Sequence, residues 1–73
     1  MFKYVNEDGN FNIATPRELP KHKILEHRAG YTHNRFTYSN GLVIETIVEP
    51  HKIQFFSSHE LEKKSDGKYH PKL

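Results

Sequence analysis

The sequence predicts a mostly β protein, a small antiparallel meander sheet of four or five strands, from three features of residues 31–57. Apolar residues are denser there than in the rest of the chain, and they lie in alternating runs. The pair Asn40-Gly41 separates two of these runs, which is a strong hairpin signal. Pro50 ends the second run, because proline donates no ladder hydrogen bond. The predicted fold allows one short C-terminal helix, and an α+β fold with a helix at residues 21–29 is the alternative.

The first hairpin of the meander is predicted to have a three-residue loop at residues 39–41. This loop pairs Phe36 with Ile44, whereas a two-residue loop would pair Phe36 with Glu45 and split the apolar residues between faces. The three-residue loop also places Gly41 where a type I turn with a G1 bulge needs a positive φ. One face of the sheet then collects apolar side chains, namely Tyr38, Phe36, Leu42, Ile44 and Val48.

The third run follows a loop at residues 49–52, which pairs Val48 with Ile53. The opposite face of the sheet then carries Arg35 beside Glu45, together with the apolar residues Val43, Ile47 and Phe56. A large bare apolar patch is uncommon on a soluble monomer. These three residues are therefore a candidate interface, to be covered by the chain ends, a second copy or a partner. The covering residues expected from the chain ends are Phe2, Tyr4, Phe11 and Ile13.

The N-terminal part of the sequence predicts short elements. Residues 2–5 alternate between apolar and polar and predict a strand, Asp8-Gly9 predicts a turn, and residues 11–13 suit a return strand. Residues 15–20 predict an irregular connector, because two prolines four positions apart disfavour a helix interior and a central strand.

Residues 21–29 fit a strand or a helix, since the adjacent Ile24 and Leu25 match neither period well. We favour a strand that pairs with the first meander strand across Ala29-Gly30. Strict alternation along such a strand divides the side chains between its two sides. One side has Lys23, Leu25, His27 and Ala29. The other side has His22, Ile24, Glu26 and Arg28.

The C-terminal part also has two interpretations. Residues 57–60 match the capping-box pattern S-x-x-E, which predicts a helix of one or two turns. Only Leu61 would anchor that helix. The alternative is a hairpin that turns at Asp66-Gly67. Residues 65–73 are predicted to form a mobile tail of a single domain spanning residues 1–73.

The composition limits the classes of protein. A chain of 73 residues without cysteine has neither disulfides nor a thiolate metal site, so its stability is expected to be marginal. No run reaches the roughly 18 apolar residues of a membrane span, and the polar N-terminus predicts no signal peptide. We expect a cytoplasmic protein with no membrane partner. The formal charge of +2 does not by itself indicate nucleic-acid binding.

Basic and aromatic residues cluster between residues 21 and 35. Four lysines and arginines lie there with Glu26 as the one carboxylate. Cations with aromatic rings on an antiparallel sheet suit phosphate contacts and base stacking. They suit an acidic protein surface equally, because Tyr and Arg are common hot-spot residues. A solvated, mixed-charge surface is the non-functional interpretation. The predicted binding surface consists of Lys21, Lys23, Arg28, Tyr31, His33 and Arg35.

The sequence predicts no metal, cofactor or catalytic residue. His22, His27 and His33 are spaced five and six apart, wider than the ligand pairs of structural zinc sites. On one strand, only His27 and His33 have the even spacing that puts two ligands on one face. No GxSxG turn or glycine-rich phosphate loop is present, and no carboxylate pair stands out. A chain this small also has little room for a deep pocket of several hundred Å³.

These features lead to three hypotheses of function. The first is a small non-catalytic module that docks on another protein and modulates or inhibits it. The second is a nucleic-acid-binding protein that uses the surface around residues 21–35, and the third is a structural homo-oligomer. The length and the Lys/Asn/His-rich, aromatic composition are similar to those of small accessory proteins of bacteriophages and mobile elements.

Overall fold

The computed structural model describes residues 1–6 and 12–73, and the backbone alone for residues 5 and 6. The prediction of a mostly β fold is confirmed, and no helix is present within the described ranges. The α+β alternative with a helix at residues 21–29 is therefore wrong. Accordingly, no described helix could cross a membrane. The strands are β1 (Phe2–Asn6), β2 (Lys21–Arg28), β3 (Tyr31–Thr37), β4 (Val43–Glu49), β5 (Lys52–Ser57), β6 (Leu61–Lys63) and β7 (Tyr69–Pro71).

Five of the strands form one antiparallel sheet in the order β1-β5-β4-β3-β2. Strands β2 to β5 are a continuous meander, because each is joined to the next by a short hairpin connection. Strand β1 lies outside β5, so β1 and β2 are the two edges. Strands β6 and β7 form a separate two-stranded hairpin.

The β3–β4 hairpin has the predicted three-residue loop. Phe36 pairs with Ile44, and the Tyr38 N–H donates to the Leu42 carbonyl at 2.9 Å. Gly41 has a φ of +88°, a conformation that glycine adopts without steric cost. The Asn40 side-chain oxygen accepts from the Leu42 N–H at 3.1 Å, which explains why asparagine suits this turn.

The β4–β5 hairpin has the predicted register but a tighter turn. Val48 pairs with Ile53 as expected. Glu49 and Lys52 also pair, so Pro50 and His51 alone form the connection. Proline is tolerated there because its missing N–H lies outside the ladder.

The register divides the side chains of the sheet between two faces. Cross-strand partners share a face, and successive residues alternate. We call one side the packed face; its central row is Ile24, Asn34, Thr46, Phe55 and Tyr4. We call the other side the charged face; its central row is Lys23, Arg35, Glu45, Phe56 and Lys3.

Strand β2 carries a β-bulge, which sequence alternation did not predict. The pairing shifts between Ile24 and Glu26, so Leu25 is an extra residue with no partner on β3. A bulge reverses the alternation beyond it. Arg28 therefore shares the charged face with Lys23, although strict alternation placed them on opposite sides.

The C-terminal hairpin and residues 12–15 lie over the packed face. The Leu61 N–H donates to the Tyr4 hydroxyl at 2.8 Å, and the Tyr4 and Tyr69 ring centroids are 6.2 Å apart. Ile13 forms a parallel bridge with Tyr69, which adds this segment to the hairpin. An open cleft of about 250 Å³ separates the layers, lined by Ile13, Thr15, Phe36, Tyr38, Ile44, Thr46 and Phe55.

This arrangement corrects the expectation for the chain ends. Phe2 and Tyr4 lie on the packed face of the sheet itself, and Ile13 covers that same face. They were expected to cover the opposite face. The reason is that β1 joins the sheet as an edge strand instead of crossing it. Phe11 and the predicted turn at Asp8-Gly9 lie outside the described residues.

The predicted C-terminal helix is wrong, and the alternative hairpin is present. The Ser58 hydroxyl accepts from the Val43 N–H at 2.8 Å, so it caps the sheet and not a helix. Gly67 has a φ of +80° and permits the turn between β6 and β7. Residues 69–71 of the predicted tail thus belong to a strand, while the mobility of residues 65–73 stays a prediction.

The core of the described part of the chain is small. The buried apolar side chains are Leu42, Ile44 and Leu61, and Ser57 is buried with them. Ile44 lies on the packed face, and Leu61 reaches that face from the C-terminal hairpin. The two layers therefore depend on each other for burial, because neither alone encloses an apolar interior.

Candidate binding face

The structure places all nine predicted surface residues on the charged face of the sheet. Arg28 pairs with Tyr31 beside the β2–β3 turn, and the bulge at Leu25 brings Lys21 and Lys23 to the same side. His33 pairs with Ile47, which joins the basic cluster to the apolar set. The nine residues are Lys21, Lys23, Arg28, Tyr31, His33, Arg35, Val43, Ile47 and Phe56. Sequence alternation already placed Arg35 on the face of the apolar set but separated Lys23 from Arg28, and the bulge brings these two to one side.

The charged face has an excess of cations. Its carboxylates are Glu26, Glu45 and Glu49, and its lysines and arginines are Lys3, Lys21, Lys23, Arg28, Arg35 and Lys52. Six cations against three carboxylates leave a positive face before any histidine is protonated. Sequence reasoning missed Lys3 and Lys52, because their contribution depends on the order of β1 and β5 in the sheet.

Glu45 organises the centre of this face. Its Oε1 accepts from His33 Nε2 at 2.7 Å, and its Oε2 accepts from Arg35 Nε at 3.3 Å. The Glu45 side chain is only 12% exposed, so the two basic side chains cover it. The predicted pairing of Arg35 with Glu45 identified half of this arrangement. The contact with His33 is diagonal across the strands and depends on the twist of the sheet.

A cation–π pair lies near the β2–β3 turn. The Arg28 guanidinium carbon is 4.3 Å from the centre of the Tyr31 ring. Arg28 Nε is also 3.7 Å from a carboxylate oxygen of Glu26, and both side chains are exposed. An exposed cation–π contact contributes about 0.5–1 kcal/mol, so the pair orders Arg28 without burying it.

The apolar residues occupy the middle strands of the charged face. Val43, Ile47 and Phe56 are each partly buried by their neighbours on β4 and β5. Phe56 pairs with both Glu45 and Lys3 across the sheet. The face therefore has an apolar centre with charged side chains around it.

Two lysines on β2 extend from this face into solvent. Lys21 and Lys23 are exposed, and no carboxylate of the described residues lies within 4.0 Å of either amine. Arg28 and Arg35, in contrast, already have carboxylate partners. Lys21 and Lys23 are thus the cations of the cluster that are most available to an incoming anion.

The histidines are held apart by the fold. His22 and His27 lie on the packed face, and His33 lies on the charged face. His27 and His33 were expected to share a face if they lay on one strand, but the turn at residues 29–30 places them on two. Among the described residues there is no group of three or more His, Cys, Asp or Glu side chains that could hold a metal ion.

One open cleft on the described surface has a volume of about 320 Å³. It lies where the β2–β3 and β4–β5 turns are adjacent, and its lining includes Arg28, Tyr31, Val48 and Pro50. Its volume is at the lower end of the roughly 300–1,000 Å³ of small-molecule sites.

Comparisons with protein-family models, curated proteins and solved structures give no significant match to this chain.

Proposed function

We propose that the protein is a small non-catalytic module that docks on an acidic surface of another protein through its charged face, and thereby modulates or inhibits that protein. The observation that carries the proposal is the union of the basic cluster and the apolar set on one face. The other face of the sheet packs against the protein's own C-terminal hairpin, whereas the charged face presents exposed side chains such as Lys21 and Lys23.

The composition of the charged face suits a protein interface. Protein interfaces combine an apolar centre with a polar rim, and Tyr and Arg are enriched at their hot spots. Val43, Ile47 and Phe56 supply the apolar centre, and Arg28 and Tyr31 supply residues of the hot-spot type. The cation excess selects a partner with acidic residues, because opposite charges accelerate association and exclude wrong partners.

The size of the face is sufficient for a stable complex. The molecule measures 37 Å by 27 Å along its two longer axes. One face therefore offers on the order of 1,000 Å², whereas a standard interface buries about 800 Å² per partner.

The geometry favours protein over nucleic acid. The centre of the face is apolar, which suits a protein interface, and Arg28 and Arg35 are already paired with carboxylates. One side of the Tyr31 ring is occupied by Arg28, which limits base stacking. Nucleic-acid binding of useful affinity needs several unpaired cations in a track along the backbone.

The test is capture from nuclease-treated lysate, followed by reconstitution with the captured protein. We expect one dominant protein at a stoichiometric ratio. The double variant Lys21→Glu, Lys23→Glu should weaken its binding at least tenfold in calorimetry. The matched control is Lys63→Glu, Lys64→Glu, which makes the same charge change on exposed residues of the C-terminal hairpin and should leave the affinity unchanged.

Three results would contradict the proposal. Recovery of nucleic acid alone, with nothing left after nuclease treatment, would favour the nucleic-acid hypothesis. A stable dimer in light scattering that Phe56→Ser converts to a monomer would favour the homo-oligomer. Equal loss of binding in both lysine variants would show that total charge matters and the charged face does not.

A further inference from the structure

The outer edge of β2 points to a particular kind of partner. We infer that the partner contributes an extended segment of alternating acidic and apolar residues, which adds to β2 along residues 21–24. This inference rests on the proposed function, and it specifies how the partner is recognised. In such strand addition, main-chain hydrogen bonds supply affinity and alternate side chains supply specificity.

Strand β2 has an accessible edge. In the described part of the chain it pairs with β3 alone, and every residue of β2 except Leu25 is exposed. An edge strand presents backbone N–H and C=O groups that have no partner in its own sheet. The other edge, β1, is less available because its Tyr4 is bound to the C-terminal hairpin.

The two sides of β2 specify different chemistry. On the charged face it presents Lys21 and Lys23, which have no carboxylate partner among the described residues. On the packed face it presents Ile24, which is 57% exposed and lies beyond the part that the C-terminal hairpin covers. An added strand of alternating residues would therefore place carboxylates beside the lysines and apolar side chains beside Ile24.

His22 orders the packed-face side of β2, next to Ile24. Its ring stacks on Phe36 at a centroid distance of 4.6 Å, and its Nε2 donates to the Asn34 side-chain oxygen at 2.8 Å. These contacts hold the imidazole against the sheet. The edge between Lys21 and Ile24 is consequently pre-ordered, which lowers the entropy cost of adding a strand.

The bulge limits the length of the added segment. Leu25 interrupts the regular ladder, and a bulge bends the strand and increases its local twist. A straight partner strand therefore pairs with residues 21–24 and diverges after them. This predicts a short recognition segment of about four to five residues, the usual length of a small strand.

Charge disfavours a second copy of this chain as the added strand. Two β2 edges placed side by side would bring the lysines of one copy next to those of the other on the same face. Like charges on adjacent strands destabilise the pairing. Edge lysines and bulges also protect native sheets from self-association. The edge of β2 therefore favours an acidic strand and disfavours pairing with a second copy of β2.

The probe is a capped eight-residue peptide of alternating glutamate and valine, added to the full chain. We expect the amides of residues 21–24 to shift in NMR spectra, and the outward-pointing amides, every second one, to gain protection from solvent exchange. Three matched peptides serve as controls. One has lysine in place of glutamate, and two are N-methylated at alternate residues, one at the glutamates and the other at the valines. The lysine peptide and at least one N-methylated peptide should bind at least tenfold more weakly.

The outcomes separate this inference from the proposed function. Equal affinity of the parent and both N-methylated peptides would overturn strand addition. So would protection at β1 instead of β2, or no binding of the glutamate–valine peptide at all. If the captured protein still binds and still depends on Lys21 and Lys23, the proposed function stands without the inference. Main-chain-dependent binding of the peptide supports the inference even where the captured protein docks elsewhere.

Discussion

The two faces of the sheet are built from the same strands but differ in how far their side chains are buried. On the packed face, Ile44 is buried to 4% exposure and Tyr4 is hydrogen-bonded to the C-terminal hairpin. On the charged face, Ile47 is partly exposed, and Glu45 lies beneath two basic side chains. Burial also raises the pKa of Tyr38 on the packed face, which keeps its phenol neutral. One face thus supplies cohesion, while the other keeps charge and apolar area at the surface.

This contrast shows how a small sheet can be apolar on both sides. A chain of 73 residues has few residues left to cover a five-stranded sheet, and small domains hide a limited share of their surface. The C-terminal hairpin and residues 12–15 cover one face. The apolar residues of the other are surrounded by charges, which limits the size of any continuous apolar patch.

The largest expected effect compares the same residue type on the two faces. Ile44→Ala removes a buried side chain and should lower the free energy of unfolding by about 2–5 kcal/mol. Ile47→Ala removes a partly exposed one and should cost roughly 1–2 kcal/mol. Urea denaturation of both variants measures the difference. Equal losses would show that the charged face is as much a core as the packed face.

The second comparison removes one hydroxyl from each face. Tyr4→Phe leaves the Leu61 N–H without its 2.8 Å partner, and a buried donor without a partner costs about 1–3 kcal/mol. Tyr31→Phe keeps the aromatic ring under Arg28 and should change stability by less than about 0.5 kcal/mol. Amide exchange should show that Tyr4→Phe loosens β6 and β7 before the sheet. Unchanged exchange at Leu61 would contradict the role of this hydrogen bond.

A smaller effect is expected from the centre of the charged face. A double-mutant cycle of Glu45→Gln with Arg35→Met should give a coupling energy of about 0.2–1 kcal/mol, since Arg35 is largely solvated. The same cycle with Glu62→Gln, an exposed carboxylate on β6, is the control and should give no coupling. A coupling above about 2 kcal/mol would mean that the charged face contributes to cohesion as strongly as the packed face.

The smallest effect concerns pH and the C-terminal hairpin. Asp66 accepts from the Lys68 N–H and from the His70 ring, each at 2.9 Å. The backbone hydrogen bond, followed by that from His70, lowers the pKa of Asp66 below its ordinary value of 3.8. The carboxylate therefore stabilises the fold above that value, and the contribution is lost as the pH falls through the lower, folded-state pKa.

NMR titration of the Asp66 carboxyl carbon measures this pKa directly. The midpoint should lie below 3.8, and Asp66→Asn should remove the acid-dependent loosening of the β6–β7 turn. The charged face should not respond in the same range through this group, because Asp66 lies on the other layer. A midpoint at or above the ordinary value would contradict the hydrogen-bonded geometry.

Local sequence features predicted the meander well. Asn40-Gly41 and the apolar alternation fixed the β3–β4 register, because a one-residue slip would have moved Glu45 beside Phe36. Pro50 located the next turn, and Gly30, with a φ of +74°, allowed the turn that joins β2 to β3. These predictions succeeded because each depends on a few neighbouring residues and on strand periodicity.

Other predictions failed where distant residues compete. The S-x-x-E pattern at residues 57–60 predicts a helix, but the hydroxyl of Ser58 binds Val43 across the sheet and Leu61 packs into the other layer. The bulge at Leu25 had no local signal beyond the adjacent Ile24 and Leu25, which fit neither period. Without the bulge, the pairing of Arg28 with Tyr31 would leave Lys21 and Lys23 on the packed face.

The sequence by itself determined the three meander strands β3 to β5, the registers of their hairpins and the residue types that these strands carry on their two sides. Strand periodicity and turn chemistry act over a few residues, and they are therefore visible in the chain. Only the tertiary structure decided which face is covered, where β1 adds to the sheet and how one bulge collects Lys23, Arg28 and Arg35 on one side. Those outcomes depend on contacts between residues far apart in sequence, such as Tyr4 with Leu61. A local sequence pattern does not predict the free energies of such contacts.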